Sequence, residues 1–196
     1  MANNDTTELC DMGFKYGTDK CPQIGHCYTP FYYELLKDKR QSVKKVLEMG
    51  VGNTKYYGHI VNYKLGSSLY MWRDFFPNAY VYGGDIVPES VFKDERIETF
   101  LCDARKEEDI VGLIKKTGSD IDLFIDDASH HVHDQMFLCQ TVMPLLDKGV
   151  IYVIEDSCRT KTYCQRLSQY DCFIPELGVT SNSLPHDHIV IVKHKQ

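Results

Sequence analysis

The chain has 196 residues, 43% of them hydrophobic and 26% charged, a length that suits one α/β domain with a sizeable core and a composition that excludes a disordered or fibrous chain. Its 22 Lys and Arg against 28 Asp and Glu leave a formal charge of -6, which argues against the phosphate-neutralising surface of a nucleic-acid binder. No apolar stretch approaches the ~20 residues that a membrane helix needs.

No internal repeat, low-complexity tract or linker interrupts the chain, so one domain over 1–196 is the simplest partition. Within it, a polar and aromatic N-terminal segment (1–42) precedes a core (43–196). The segment carries Tyr16, Tyr28, Tyr32 and Tyr33 ahead of a short helical stretch, and the basic run Lys37–Lys45 reads as a solvated helix end.

Compact apolar runs follow at Lys45–Met49, Ala79–Gly83, Ile97–Cys102, Ile121–Ile125, Val150–Ile154 and His188–Val192. They are short and rich in Val, Ile, Tyr and Phe, as strands buried on both faces should be. Between them Leu69–Phe76, Glu107–Lys116 and Asp134–Leu146 show helical spacing, with Ser67 and Ser68 as caps of the first and Gly118 closing the second. Strand–helix alternation implies a doubly wound, mostly parallel sheet flanked by helices. Such a sheet binds ligands beyond the carboxyl ends of its strands.

Eight cysteines (Cys10, Cys21, Cys27, Cys102, Cys139, Cys158, Cys164 and Cys172) contain no CxxC pair. Cys102 and Cys139 lie in apolar runs, where a thiol behaves as a small hydrophobe. The first residues show no signal-peptide pattern, so the expectation is a cytoplasmic protein with reduced thiols.

The strand ends carry the chemistry. The first run leads into Glu48-Met49-Gly50-Val51-Gly52-Asn53, where glycines let backbone approach a ligand. The spacing is not the GxGxxG of dinucleotide folds, which weighs against a nicotinamide oxidoreductase. The second run ends in Gly83-Gly84-Asp85, an acidic residue placed to meet ribose hydroxyls. The third ends in Cys102-Asp103-Ala104-Arg105, within reach of an adenine ring. Each carboxylate has an alternative reading as a turn or helix cap.

The fourth run ends in Asp126-Asp127-Ala128-Ser129-His130-His131-Val132-His133-Asp134 and the fifth in Glu155-Asp156. Asp127, Glu155 and Asp156 would gather at one rim, and an all-oxygen set suits a hard cation such as Mg²⁺ or Mn²⁺. His130, three residues after Asp127, is placed to act as general base beside it. The alternatives are that Asp126 and Asp127 cap the following helix, or that His130, His131 and His133 hold zinc. Three imidazoles within four residues rarely converge on one tetrahedral ion.

Lys15-Tyr16-Gly17-Thr18-Asp19-Lys20, His26, Tyr28, the Glu48–Gly52 loop, Gly66-Ser67-Ser68-Leu69 with Trp72, Gly84-Asp85-Ile86, Asp126-Asp127-Ala128-Ser129-His130 and Ile154-Glu155-Asp156 together resemble the macrocin and mycinamicin sugar O-methyltransferases. They also resemble related domains that methylate deoxysugars such as rhamnose in glycans. The sequence departs from that pattern at Asn53-Thr54, where a third glycine is missing, and at Ala128, where glycine is common.

The resemblance implies a seven-stranded, Rossmann-like class I methyltransferase fold. It implies transfer of a methyl group from S-adenosyl-L-methionine to a sugar hydroxyl, leaving S-adenosyl-L-homocysteine, with Mg²⁺ or Mn²⁺ held by Asp127, Glu155 and Asp156. His130 and Asp127 are then catalytic, and Tyr16, Thr18, Lys20, Glu48, Gly50, Gly52, Ser68, Asp85, Ile86, Asp103 and Asp126 form or border the cofactor site. The expected partner is a sugar or glycan, with the chain a homo-oligomer or part of a larger glycan-processing protein. Competing readings are a natural-product or other small-molecule O-methyltransferase, and a non-catalytic nucleoside-binding domain of the same fold.

Overall fold

The apolar runs form strands, as their β-branched and aromatic content favours. A computed structural model describes residues 6–178 and 188–196. Its helices are α1 (Glu8–Tyr16), α2 (Thr29–Leu36), α3 (Thr54–Tyr57), α4 (Ser67–Phe75), α5 (Glu107–Thr117), α6 (Val132–Val142) and α7 (Thr160–Arg166). Its strands are β1 (Lys45–Met49), β2 (Tyr80–Asp85), β3 (Lys93–Asp94), β4 (Ile97–Leu101), β5 (Leu123–Asp126), β6 (Ile151–Ile154), β7 (Tyr170–Phe173) and β8 (Val190–His194).

The strands build one sheet in the order β3-β4-β2-β1-β5-β6-β8-β7. The inner pairs β4·β2, β2·β1, β1·β5 and β5·β6 are parallel. The pairs β3·β4, β6·β8 and β7·β8 are antiparallel. The sheet thus has eight strands where seven were expected, the added one being the two-residue β3 folded back on β4.

Alternation along β1 sends successive side chains to opposite faces. Val46 joins Leu9, Tyr32, Leu36, Trp72 and Phe75 beneath α1, α2 and α4. Leu47 joins Ile110, Leu113, Leu138 and Val142 beneath α5 and α6. The N-terminal segment is therefore built into one of the two cores. Tyr32 meets Trp72 edge-on at 5.0 Å, and each fully buried side chain of this size contributes roughly 1.5–3 kcal/mol.

The helix ends follow the sequence only in part. Gly118 closes α5, its N–H donating to the Ile114 carbonyl. Ser67 and Ser68 do not cap α4: Gly66, at φ 72°, is the N-cap, and both serines lie inside the first turn. A left-handed N-cap is a position where glycine is favoured over serine, and the serine hydroxyls are free for other partners. Nor do Asp126 and Asp127 cap α6, whose N-cap is His131 without a side-chain bond. Among the described residues no helix is long and apolar enough to cross a membrane.

Candidate active site

Parallel register brings the strand ends to a single rim. Met49 stands opposite Gly84 and Asp126, and Asp126 opposite Ile154, so the residues that follow emerge side by side. The ladder runs one step further: the Asp127 N–H donates to the Met49 carbonyl at 2.9 Å and the Glu155 N–H to the Asp126 carbonyl at 3.0 Å. Gly50 makes this approach possible. At φ +96°, a Cβ there would lie 2.0 Å from the Asp127 carbonyl oxygen.

Two neighbouring cavities open at the rim and share Gly50, Asp85, Ile86 and Ala128. The first, about 230 Å³, is lined among others by Thr18, Lys20, Gly52, Tyr57, Tyr63, Ser68 and Asp127. The second, about 360 Å³, is lined by Cys102, Asp103, Arg105, Ser129, His131 and others. Of the residues expected to form or border a cofactor site, Thr18, Lys20, Gly50, Gly52, Ser68, Asp85, Ile86 and Asp103 line these cavities.

Tyr16, Glu48 and Asp126 do not. The Tyr16 hydroxyl donates instead to Asp74, and its ring stacks on Tyr70. Glu48 is fully buried, accepting from Ser68 Oγ at 2.7 Å and Trp72 Nε1 at 2.6 Å. It reaches the cavity only through Ser68 and Lys20. Asp126 is buried against the Tyr152 hydroxyl, and burial pushes its carboxyl up to about 7. Asp85 accepts from the Val51, Gly52 and Val87 amides at 2.8, 3.1 and 2.8 Å, so it also fixes the glycine loop. Asp103 is paired with Arg105, Nε to Oδ1 at 2.9 Å, which holds its carboxyl below the usual range.

A third cavity of about 160 Å³ adjoins the first and is lined by Asp19, Lys20, His26, Tyr57, Asp127, His130, Glu155 and Asp156. Here one donor atom each from Asp127, His130 and Asp156 lies within 4.8 Å of the others. His130 Nε2 is 3.1 Å from Asp127 Oδ1 and 3.5 Å from Asp156 Oδ2. His130 and Asp156 both hold left-handed backbone, at φ 57° and 50°. Non-glycine residues adopt that conformation at a cost of about 1–3 kcal/mol, so the surrounding structure must hold both residues there.

Glu155 is set apart from this trio. Its carboxylate accepts from Lys20 Nζ and from the Tyr32 hydroxyl. Lys20, only 2% exposed, also lies 2.6 Å from Asp127 and 3.5 Å from Glu48. Burial disfavours the ammonium, but Asp127, Glu155 and Glu48 outweigh it and hold Lys20 protonated. Burial would raise Asp127 too, yet Lys20 and His130 hold it well below the carboxylate range. Burial and the neighbouring Asp127 raise Asp156. For His130 burial disfavours the imidazolium, and Asp127 and Asp156 overcome it, pushing the pKa up to about 9.

The three histidines do not converge as a zinc site would require. His131 lines the second cavity and His133 is 91% exposed. His26 and Tyr57 were not singled out as site residues by the sequence, nor was Tyr63. Tyr28 donates to Asp156 at 2.9 Å and stacks on His26. Only the His26/Tyr28 pair left a trace in the sequence, as part of the N-terminal motif; Tyr57 ends the four-residue α3 and Tyr63 lies in the connection after it, a stretch whose composition signals no role.

The donor chemistry fits a hard divalent cation. Asp127 and Asp156 offer carboxylate oxygens, His130 a ring nitrogen, and four carboxylates (Glu48, Asp127, Glu155, Asp156) face one lysine, Lys20, and two imidazoles, His26 and His130.

No family model matches the chain. Two curated relatives are the mycinamicin VI 2''-O-methyltransferase of Micromonospora griseorubida and the 8-demethyl-8-alpha-L-rhamnosyl tetracenomycin-C 2'-O-methyltransferase of Streptomyces olivaceus. The first is 34% identical over 154 residues, covering 76% of this chain and 36% of the relative. The second is 32% identical over 152 residues, covering 78% and 38%. The chain thus spans little more than a third of the length of these relatives. Among solved structures, MycE methyltransferase of the mycinamycin pathway in complex with Mg, SAH and mycinamycin VI superposes with a TM-score of 0.71 at 26% identity, covering 97% of this chain and 55% of that one. The N-methyltransferase NodS of Bradyrhizobium japonicum WM9 with SAH, at 12% identity and a TM-score of 0.55, shares the fold.

Proposed function

We infer that this chain, which has the class I S-adenosylmethionine-dependent methyltransferase fold and belongs with the sugar O-methyltransferases of the macrocin and mycinamicin type, transfers a methyl group from S-adenosyl-L-methionine to a sugar hydroxyl. The acceptor class we propose is a deoxysugar such as rhamnose, carried on a glycan or other glycoconjugate. The observation that carries this reading is the convergence of Asp127, His130 and Asp156 beside the glycine-loop cavity, with Asp127 lining both.

In this reading the adenosyl ligand occupies the two joined cavities, its ribose beside Asp85 and its base toward Asp103. Asp127 and Asp156 hold a Mg²⁺ or Mn²⁺ ion with His130 next to it. Such an ion supplies positive charge that neutralises both carboxylates, stabilises an alkoxide and lets His130 stand neutral. Neutral His130 accepts the proton of the acceptor hydroxyl as its oxygen attacks the methyl group, and Tyr28 orients Asp156. Glu155 stands behind, fixed by Lys20 and Tyr32. Alignment of the two substrates supplies much of the rate, with general-base help of ~10²–10⁴-fold. We also propose a cytoplasmic location, which the eight free thiols suit, and a place either in a homo-oligomer or in a longer glycan-processing protein.

The test is transfer of a labelled methyl group from S-adenosyl-L-methionine to a panel of deoxysugar glycosides, with Mg²⁺ and with EDTA. Cation-dependent labelling of a sugar oxygen is the expected result. Absence of transfer to every sugar, or undiminished transfer in EDTA, contradicts it.

A further inference from the structure

We propose that the Tyr63 hydroxyl is a binding group for the ribose of the adenosyl ligand, donating a hydrogen bond to a ribose oxygen whose own hydroxyl proton goes to Asp85. This rests on the reading of the first cavity as the adenosyl site. Tyr63 lies in the connection between α3 and α4, outside the strand-end glycines and acids.

The starting observation is an unsatisfied group. Among the described residues two buried side-chain polar atoms have no hydrogen-bond partner, Tyr63 Oη and His194 Nε2. His194 ends β8, whose partner β7 is the sheet's outermost strand, and faces no candidate site. Tyr63 lines the first cavity with Gly52, Asp85 and Val87. Its hydroxyl oxygen is 3.2 Å from the point where a Cβ on Gly52 would sit. A buried hydroxyl left unpaired weakens the free protein, and such groups in native structures call for an explanation. A ligand oxygen in this cavity supplies one.

The ring is held in place. Gly17, at φ +72°, allows its own Cα to pack on the Tyr63 backbone: a Cβ there would be 2.3 Å from the Tyr63 nitrogen. Asn62 donates to the Phe14 carbonyl at 3.2 Å, tying the same segment to the end of α1. On its other side the ring stacks on Tyr57 with centroids 5.8 Å apart. Packing from the end of α1 and from α3 thus fixes the ring at the cavity wall, with its hydroxyl beside Gly52.

The chemistry of the two partners is complementary. The Asp85 side chain already accepts three backbone amides. A ribose hydroxyl has one proton to give and lone pairs to satisfy. Asp85 takes the proton and a donor is needed for the oxygen. Burial first, then Tyr57, Asp19 and Asp85, push the Tyr63 hydroxyl up to about 12, so it keeps its proton at neutral pH.

The experiment is calorimetric titration of wild type and Tyr63→Phe with S-adenosyl-L-homocysteine and with 5'-methylthioadenosine, which keeps the ribose and lacks the amino-acid end. Thermal unfolding of each free protein accompanies it. Tyr63→Phe is expected to bind both ligands roughly 5–20-fold more weakly, since a paired hydroxyl is removed. Its free form should unfold at or above the wild-type temperature, because an unpaired group has gone. Unchanged affinity for both ligands overturns the proposal, as does a lowered unfolding temperature with intact affinity, which assigns the hydroxyl to the fold. A loss seen with S-adenosyl-L-homocysteine alone overturns the ribose assignment. Failure of wild type to bind either ligand removes the reading of the cavity itself, a result distinguishable from all the others.

Discussion

Lys20 Nζ lies 2.6 Å from Asp127 Oδ2, joining residues 107 positions apart. The N-terminal segment thereby reaches under the sheet rim and supplies the internal cation of an otherwise acidic site. The same ammonium contacts Glu48 and Glu155. Lys20 lines the first cavity, but its side-chain bonds are to the protein's own carboxylates.

Lys20→Met should therefore destabilise the protein strongly. Removing one partner of a buried ionic cluster leaves the others uncompensated, at a cost of about 3–5 kcal/mol. Urea unfolding in EDTA measures this, and a change within about 0.5 kcal/mol, the range of ordinary surface substitutions, contradicts the arrangement.

Asp127→Asn and Asp156→Asn should each weaken Mn²⁺ binding by roughly 10–100-fold or more, since even the partners of metal ligands carry effects of that size. Electron paramagnetic resonance titration reads free Mn²⁺ directly. Glu155→Gln should weaken it less, because that carboxylate is committed to Lys20 and Tyr32. The reverse order, with Glu155 dominant, would mean that Lys20 withdraws when the ion arrives.

His130→Ala should lower kcat by ~10²–10⁴ with little change in cofactor affinity. His133→Ala, at a 91% exposed position, should be indistinguishable from wild type. His131 lines the second cavity, so His131→Ala should alter cofactor affinity with kcat within about tenfold of wild type. An inactive His131 variant beside an active His130 variant would show that the wrong base has been named.

Asp126 gives a pH-dependent stability. Its folded carboxyl titrates at about 7 because burial disfavours the charge, whereas the unfolded value is about 3.9. The folded state then binds the proton more tightly, so stability is greatest below the unfolded pKa and falls as pH rises through this window. In EDTA, Asp126→Asn should raise stability at pH 8 by roughly 1–4 kcal/mol, taking one pKa unit as about 1.4 kcal/mol. That gain should shrink toward pH 4. A gain independent of pH, or a loss at pH 8, contradicts the cause assigned.

Much of the architecture was legible because buried parallel strands are short and apolar throughout. All six apolar runs are strands, and the three periodic stretches became α4, α5 and α6. Helix α1 was missed although its apolar residues follow a helical period, because the stretch is short and carries Glu8, Asp11 and Lys15 among them. So was β7, whose Tyr-Asp-Cys-Phe run is half exposed at the edge of the sheet. The rim was legible for the same topological reason: parallel strands deliver their next residues to one side. What the sequence could not convey is side-chain direction. Glu48 and Glu155 follow the same pattern as Asp85 and Asp127, yet Ser68 and Trp72 draw one inward and Lys20 and Tyr32 hold the other. Tyr63 is brought to the cavity by packing on Gly17, a contact that no local spacing encodes.

The central claim is that a divalent cation and an adenosyl ligand share this rim, the ion on Asp127 and Asp156 beside His130. Anomalous diffraction from crystals grown with Mn²⁺ and S-adenosyl-L-homocysteine tests it most directly. The account predicts one strong manganese peak about 2 Å from carboxylate oxygens of both Asp127 and Asp156, with the ligand's ribose between Asp85 and Tyr63. A manganese peak elsewhere, or the ligand bound away from the glycine loop, would contradict it.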